Sequence, residues 1–473
     1  MAGEKYQLVV IGAGPGGYAA AFLAADLGMN VALVDPEKNP GGVCLYRGCI
    51  PSKALLHVAR LMNEVKEAKQ MGVDYPEPRI DVEALRGWKN SVVDRLTGGL
   101  GQLTKRRKVE YIQGTATIRD AHTIDVNRAG GGAETISFDH AIVATGSRPA
   151  VIPAFDLDTP RVLNSKTALD LESVPQSMLV VGGGYIGLEL GSVYAALRTK
   201  VSVVEMLPGI LPGADRDLVN VLAKGIGKKF ESVMVNTTVA SMKQKNGGVA
   251  VTFEGEGVDT PEVTYESVLV SVGRRPNSEG FGLENTKVVV GGRGFIEVDH
   301  QLRTAEPSIF AIGDVVGEPM LAHKASHEGR TAVEVIAGHR ASFEPNAIPA
   351  VIFTDPEIAW CGLTETEAKE KGIDVTVAKF PWAASGRALT LERTDGLTKL
   401  VVDPKTDRIL GVGIAGAGAG DMIAEGVLAI EMAANATDLK LTIHPHPTLS
   451  ETVMEAAEVY FGTSTHVYRP RRK

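Results

Sequence analysis

The chain has 473 residues, 44% of them hydrophobic and 22% charged, which is globular composition with apolar material for about three domains. Its formal net charge of −8 and the lack of a basic stripe exclude nucleic acid as a partner, the run Arg469 to Lys473 being a short solvated tail, and no apolar run is long enough for a membrane span. Three cysteines in so long a chain exclude a secreted disulfide scaffold, and the strand that starts soon after Met1 leaves no room for a leader, so the expected location is bacterial cytoplasm, with a processed mitochondrial form as the alternative.

Gln7 to Gly17 reads as a buried strand followed by Gly12-x-Gly14-x-x-Gly17. A helix of small residues, Tyr18 to Leu27, leads to a second strand, Val31 to Val34, that ends on Asp35. Each part serves a dinucleotide: Gly12 makes the tight turn, Gly14 admits the pyrophosphate, and Gly17 lets helix and strand approach. The helix N-terminus receives the phosphates, and Asp35 stands where an acid accepts the adenosine ribose.

Next comes Gly41-Gly-Val-Cys44-Leu-Tyr-Arg-Gly-Cys49-Ile-Pro-Ser-Lys53, a Gly-flanked turn carrying two of the three cysteines. If the turn brings their Cα atoms within about 4.4–6.8 Å, a disulfide can close. Two buried thiols or half of a zinc site are the alternatives, and no further CxxC or HxxxH supports zinc. Lys53 falls on the same helical face as Cys49, where a cation favours a thiolate; an ordinary surface lysine is the other reading.

The unit repeats. Strand Met178 to Val181, the loop Gly182-Gly-Gly184-Tyr-Ile-Gly187, helix Leu188 to Ala196 and strand Val201 to Val204 end on Glu205. Two such units mean two dinucleotides, and an acid at the second position favours NAD over NADP because it repels a 2′-phosphate. Between the units, Ala141 to Pro149 (AIVATGSRP) is a strand closed by a glycine turn, and Val268 to Pro276 (VLVSVGRRP) closes the second unit in the same way. Ile309 to Val315 (IFAIGDV) is a further strand, after which Asp314 either meets a cofactor or caps a turn. Beyond Asn346 the pattern becomes α+β: strands at Val351 to Pro356, Thr398 to Pro404 and Ile409 to Ala415, then a helix from Met422 to Ala434. Cys361, beside Trp360 in a strand, reads as a core thiol. Finally, Thr448-Leu-Ser-Glu451 has the spacing of a capping box. The alternative makes His446 an acid/base oriented by Glu451, with His444 an ordinary loop histidine; spacing alone favours the cap.

These stretches, with MLAHKASHEG and HPHPTLSE, resemble the flavin-dependent pyridine-nucleotide disulfide oxidoreductases over essentially the whole chain, and most closely the branch that oxidises dihydrolipoamide. The resemblance implies an α/β fold with two Rossmann-like dinucleotide-binding domains and a C-terminal α+β dimerisation domain. The expected divisions are an FAD domain (1–150), an NAD domain (151–272), a central segment completing the FAD site (273–345) and a dimer domain (346–473). It implies that FAD takes Gly12, Gly14, Gly17, Asp35, Lys53, Gly114, Asp314, Met320, Leu321, Ala322 and His323. NAD would take Gly182, Gly184, Gly187, Glu189, Glu205, Val239 and Gly273. Cys44 would exchange with the dithiol, Cys49 would face the flavin as a thiolate, and His446 with Glu451 would act as base on the other subunit's disulfide, which reverses the preference for a cap. The implied partners are a second copy of the chain and lipoyl domains of 2-oxoacid dehydrogenase or glycine cleavage complexes; a different disulfide reductase or a soluble transhydrogenase is the alternative, and a non-catalytic flavoprotein a more distant one. Three positions depart from the family: it usually has Thr at Val43, Asn at Tyr46 and, more often, Glu at Asp35.

Overall fold

Strand Lys5–Ile11 has exposed Lys5 and Gln7 at its start and then a buried apolar run, Leu8 to Ile11, as a strand covered on both faces must have. In the computed structural model, which describes residues 5–255, 258 and 261–468, it pairs in parallel with Val31–Asp35 on one side and Ala133–Val143 on the other. Glu110–Asp120 and Ile309–Ala311 extend this sheet at either edge, both in parallel. The central segment thus supplies the first sheet's last strand. It also supplies helix Ala322–Ile336, whose buried Gly329 lies against the backbone of Gly16 in helix Pro15–Asp26. The basic run Arg469 to Lys473 and the residues before Lys5 lie outside the described residues.

The second unit repeats this plan. Its parallel sheet runs Ser232–Met234, Lys200–Val204, Ser177–Val181, Ser267–Val270, Val162–Leu163. An antiparallel layer of Thr237–Lys245, Gly248–Gly255 and Glu262–Tyr265 packs beside it. The two glycine-closed stretches read as counterparts do more than end their units alike. Ser147–Pro149 and Arg274–Pro276 pair with each other, antiparallel, so the chain leaves the first unit and returns to it through one two-stranded ribbon.

The C-terminal unit is an antiparallel sheet in the order Ala350–Ile352, Glu357–Gly362, Ile409–Gly416, Leu397–Val402, Thr376–Pro381, covered by helices Ala419–Glu431 and Glu451–Phe461. The strand expected over Val351 to Pro356 stops at Ile352, and the helix expected from Met422 starts at Ala419. Cys361 is buried in strand Glu357–Gly362, and burial pushes its thiol up to about 12, as befits a core residue. Leu428, Met432, Leu441 and Ile443 are exposed on this unit.

A buried ionic cluster joins this unit to the second one. The Lys399 side chain, 2% exposed, places its ammonium 2.6 Å from Asp215 and 2.9 Å from Asp217 at the start of helix Arg216–Lys229. Lys379 bonds Asp217 and Glu365. Burial alone would raise both aspartates; the lysines and the backbone N–H groups of Glu365 and Thr366 on Asp215 outweigh it and hold them below the ordinary carboxylate range. Lys399→Met leaves buried Asp215 without a counter-charge, while Asp217 and Glu365 keep Lys379, and should cost about 3–5 kcal/mol, read as a lowered urea midpoint at pH 7. The aspartates' contribution is present above their unfolded pKa of about 3.9 and lost as pH falls through the folded values, so the gap between parent and variant should narrow in acid. Equal midpoints at pH 7 would remove the cluster from the forces that join the units.

Candidate active site

The first glycine loop is shaped by contact. Gly12 has φ +100°, a conformation side chains avoid, and a Cβ on Gly17 would collide with the Gly12 carbonyl. Asp35 is buried under the loop. The Ala13 N–H donates to one of its oxygens (2.6 Å) and the Glu37 N–H to the other (2.9 Å). Burial pushes Asp35 up to about 6, against the Ala13 bond and the nearby Arg47 charge. The second loop has the same geometry. Gly182 has φ +103°, a Cβ on Gly187 would strike the Gly182 carbonyl, and Glu205 accepts from the Gly183 and Leu207 N–H groups at 2.8 Å each.

A cleft of about 660 Å³ opens from the first loop. It is lined by Gly12, Gly14, Gly17, Asp35, Gly114, Asp314, Met320 and Ala322, and by Cys44, Cys49 and Lys53. Most of the residues expected to hold FAD are therefore on one wall system, and a glycine cradle with a buried acid beneath it fits an adenine dinucleotide. Asp314 is aimed there by the Ser147 hydroxyl, which donates to it while Arg274 donates to Ser147 at 2.7 Å. Leu321 and His323 do not line the cleft: Leu321 caps helix Ala322–Ile336, and His323 Nε2 lies 2.8 Å from the Pro349 carbonyl. Val239 sits at a bulge in Thr237–Lys245 and Gly273 (φ +122°) at the entry to the ribbon, both outside the cleft with Gly182, Gly184, Gly187 and Glu205.

The cysteines do not share a turn, as expected, but sit on two helices. Cys44 is in Gly42–Arg47 and Cys49 is the first residue of Cys49–Glu67, with Gly48 between. Gly48 packs so tightly on the Val43 carbonyl that the two helices are held together. Both cysteines are thiols in this structure. They are unequal. The hydrogen bond between them holds Cys44, the donor, far above the ordinary thiol range. The same bond, with help from Lys53 against the opposing effects of burial and Glu189, brings Cys49 down to about 7.

Glu189, expected on the nicotinamide side, lies in the cleft wall and is 3% exposed. Lys53 Nζ lies 2.7 Å from its Oε2, the Ser52 hydroxyl 3.1 Å from the same oxygen, and the Phe353 N–H donates to Oε1 at 3.0 Å. The Phe353 ring lies 4.5 Å from Lys53 Nζ. Ser52, Phe353, Ser147 and Arg274 carry no local signal of these contacts in the sequence, although Ser52 lies in the cysteine stretch and Ser147 and Arg274 in the paired GSRP and GRRP stretches.

His446 and Glu451 are joined, Nδ1 to Oε1, at 2.9 Å. The capping box does not form, because the helix starts at Glu451 and Ser450 occupies the cap position. Glu451 nonetheless accepts the Thr448 N–H with its other oxygen, at 2.8 Å. One carboxylate serves both purposes that the spacing had set against each other. Burial would raise Glu451, but the Thr448 N–H and His446 outweigh it and hold it low. The His446 side chain is 75% exposed and lines no part of the cysteine cleft of its own chain. His444 is enclosed, bonded to Glu425, which raises its pKa against burial.

In the reduced apoprotein, alkylation by iodoacetamide should rise with pH through about 7, as Cys49 loses its proton, and Cys49→Ser should abolish that step. Cys44→Ala should move it upward by removing the donor. A step that stays near 7 in Cys44→Ala would show that the inter-cysteine bond does not set the thiolate.

The profile of the pyridine nucleotide-disulphide oxidoreductases matches residues 6–329, and that of the family's dimerisation domain matches residues 348–457. A dihydrolipoyl dehydrogenase of Haemophilus influenzae is 48% identical over 99% of this chain and 98% of its own, and one of Geobacillus stearothermophilus is 48% identical over 98% and 97%. Among solved structures, LpdA from Mycobacterium tuberculosis superposes with a TM-score of 0.89 at 26% identity, covering 96% of this chain and 99% of its own. The HOCl-induced flavoprotein disulfide reductase RclA from Escherichia coli gives 0.84 at 28%, covering 95% and 98%. FAD and NAD(H) are the cofactors of this class. With a family profile over most of its length and near-half identity to full-length relatives, the chain belongs to the pyridine nucleotide-disulphide oxidoreductases.

Proposed function

We propose that the protein oxidises protein-bound dihydrolipoamide to lipoamide and reduces NAD⁺ to NADH, as a homodimer. The observation that carries the reading is the pair of adjacent thiols, Cys44 and Cys49, on the wall of the cleft that opens from the first glycine loop. The names of the full-length relatives supply the dithiol.

In this reading a thiolate of the substrate attacks Cys44 of the Cys44–Cys49 disulfide and expels Cys49 as thiolate. The second substrate thiol then displaces Cys44, so one disulfide is made for the one broken. His446 of one subunit takes the substrate proton at Nε2, since Glu451 holds Nδ1 and fixes that tautomer. Lys53 keeps a positive charge near the Cys49 thiolate, and Glu189 fixes Lys53. FAD, held by residues such as Gly12, Gly14, Gly17 and Asp35, would supply two-electron chemistry between the thiol pair and NAD⁺. The balance is dihydrolipoamide plus NAD⁺ to lipoamide, NADH and one proton.

The residues assigned to FAD and NAD, and divisions at 150/151, 272/273 and 345/346, belong to this proposal; the ribbon of Ser147–Pro149 and Arg274–Pro276 supports the first two divisions. Lipoyl domains of 2-oxoacid dehydrogenase or glycine cleavage complexes are the proposed carriers. A dithiol cycle of this kind fits a reducing cytoplasm, where we place the protein.

The test mixes the FAD-loaded protein anaerobically with dihydrolipoamide and then with NAD⁺ or NADP⁺. A long-wavelength band from the Cys49 thiolate against the flavin, then turnover favouring NAD⁺, is expected; a band raised only by another dithiol would replace the substrate and keep the disulfide chemistry. His446→Gln should lower turnover by about 10²–10⁴. Dimers combining one Cys44→Ser chain with one His446→Gln chain should recover one working site of two, and no recovery would place both groups in one subunit.

A further inference from the structure

Tyr46 departs from the surrounding motif, and the structure puts it and its neighbour Arg47 to use on the turn that follows Asp35. Helix Gly42–Arg47 carries Cys44 at its middle and Arg47 at its end. The Arg47 guanidinium pairs with the Glu37 carboxylate, on the turn directly after Asp35. Both side chains are about 30% exposed and both line the cleft, with Asp35 and Gly14. The Glu37 turn is itself anchored: its N–H is held by Asp35 (2.9 Å), its carbonyl accepts the Tyr111 hydroxyl (2.8 Å), and the Tyr46 hydroxyl donates to the Asn39 carbonyl (3.0 Å). The turn is fixed without Arg47, so Arg47 is not needed as its clamp.

The other cations on the cleft wall are committed elsewhere. Lys53 is held by Glu189, Arg274 by Ser147, and Arg148 by Pro276 and Asn277. Arg47 alone stands beside the acid of the first glycine loop, close enough for its charge to lower Asp35. An adenine dinucleotide brings a doubly charged pyrophosphate to that loop, in a chain whose net charge is −8. A guanidinium suits it: planar, permanently charged and able to bond phosphate oxygens in pairs.

We propose that Arg47 is a cofactor-binding residue for the adenosine-diphosphate half of FAD, exchanging its pairing with Glu37 for the phosphates, and that it ties flavin retention to the helix that carries Cys44. This rests on the flavin site and not on the identity of the dithiol. Arg47 touches no atom of the thiol exchange; its part is to hold the cofactor from the same short helix that carries Cys44, the sulfur attacked in that exchange.

The test is FAD binding to the apoprotein, followed by flavin fluorescence, for the parent, Arg47→Gln, Arg47→Lys and Glu37→Gln. Arg47→Gln should weaken binding about tenfold, the loss of one charge-assisted bond, and the loss should shrink as salt is raised. Arg47→Lys should recover only part of it, since it keeps the charge and loses the paired bonds. Glu37→Gln should bind as tightly as the parent or tighter, because it frees the guanidinium. A Glu37→Gln variant that is as weak as Arg47→Gln would reduce Arg47 to a structural partner of the turn, and parental affinity in Arg47→Gln would remove it from the site. Unchanged thermal midpoints of the four apoproteins guard against misfolding; if Arg47→Gln alone melts early, release of FAD from Arg47→Lys and Glu37→Gln holoproteins decides, slower or equal release in Glu37→Gln supporting the proposal and faster release overturning it.

Discussion

One buried carboxylate, that of Glu189, is where the three units of this protein meet. Its donors come from the cysteine-bearing helix (Ser52 and Lys53) and from the C-terminal unit (Phe353), while Glu189 itself rides on the second nucleotide helix, Tyr185–Ala196. A buried charge left unpaired is costly, so these three donors cannot drift apart without penalty. Cys49 and Lys53 lie one helical turn apart on the same helix, and fixing Lys53 fixes the charge seen by the thiolate. The reactivity of the cysteines therefore depends on all three units being docked. The Lys399 cluster does for the outer contact what Glu189 does for the inner one.

Much of the fold was legible because its signals are local. A buried strand, a glycine loop, a helix and an acid lie within a few dozen residues, and each copy could be read on its own; the strand ends and Asp35 and Glu205 fall where the pattern put them. The core thiol Cys361 was legible for the same reason, as one apolar residue among others in a strand. Contacts between distant stretches were not. The GSRP and GRRP segments look alike in sequence, but nothing local says that they pair with each other. Glu189 follows a nucleotide fingerprint by two residues, which is why it was grouped with the nicotinamide, and only the docking of the units turns it towards Lys53.

The errors are instructive in the same way. Flanking glycines suggested a turn between the cysteines, whereas Gly48 serves as the joint between two helices because only a residue without a side chain fits against the Val43 carbonyl. The choice between a capping and a catalytic Glu451 was drawn too sharply. A carboxylate has two oxygens, and this one gives Oε2 to the Thr448 N–H and Oε1 to His446.

The near-identity of the two glycine loops has its own consequence. Their turns, their helix approaches and the way each acid is tied to the loop backbone are interchangeable in shape. Discrimination between a flavin and a nicotinamide cannot then reside in the cradles. It must lie in what surrounds them, which for the first loop is a cleft of about 660 Å³ that also holds two thiols. The chain repeats one phosphate grip, and the side chains and walls around each copy, Arg47 and Glu37 on the first among them, are what can make the two sites differ.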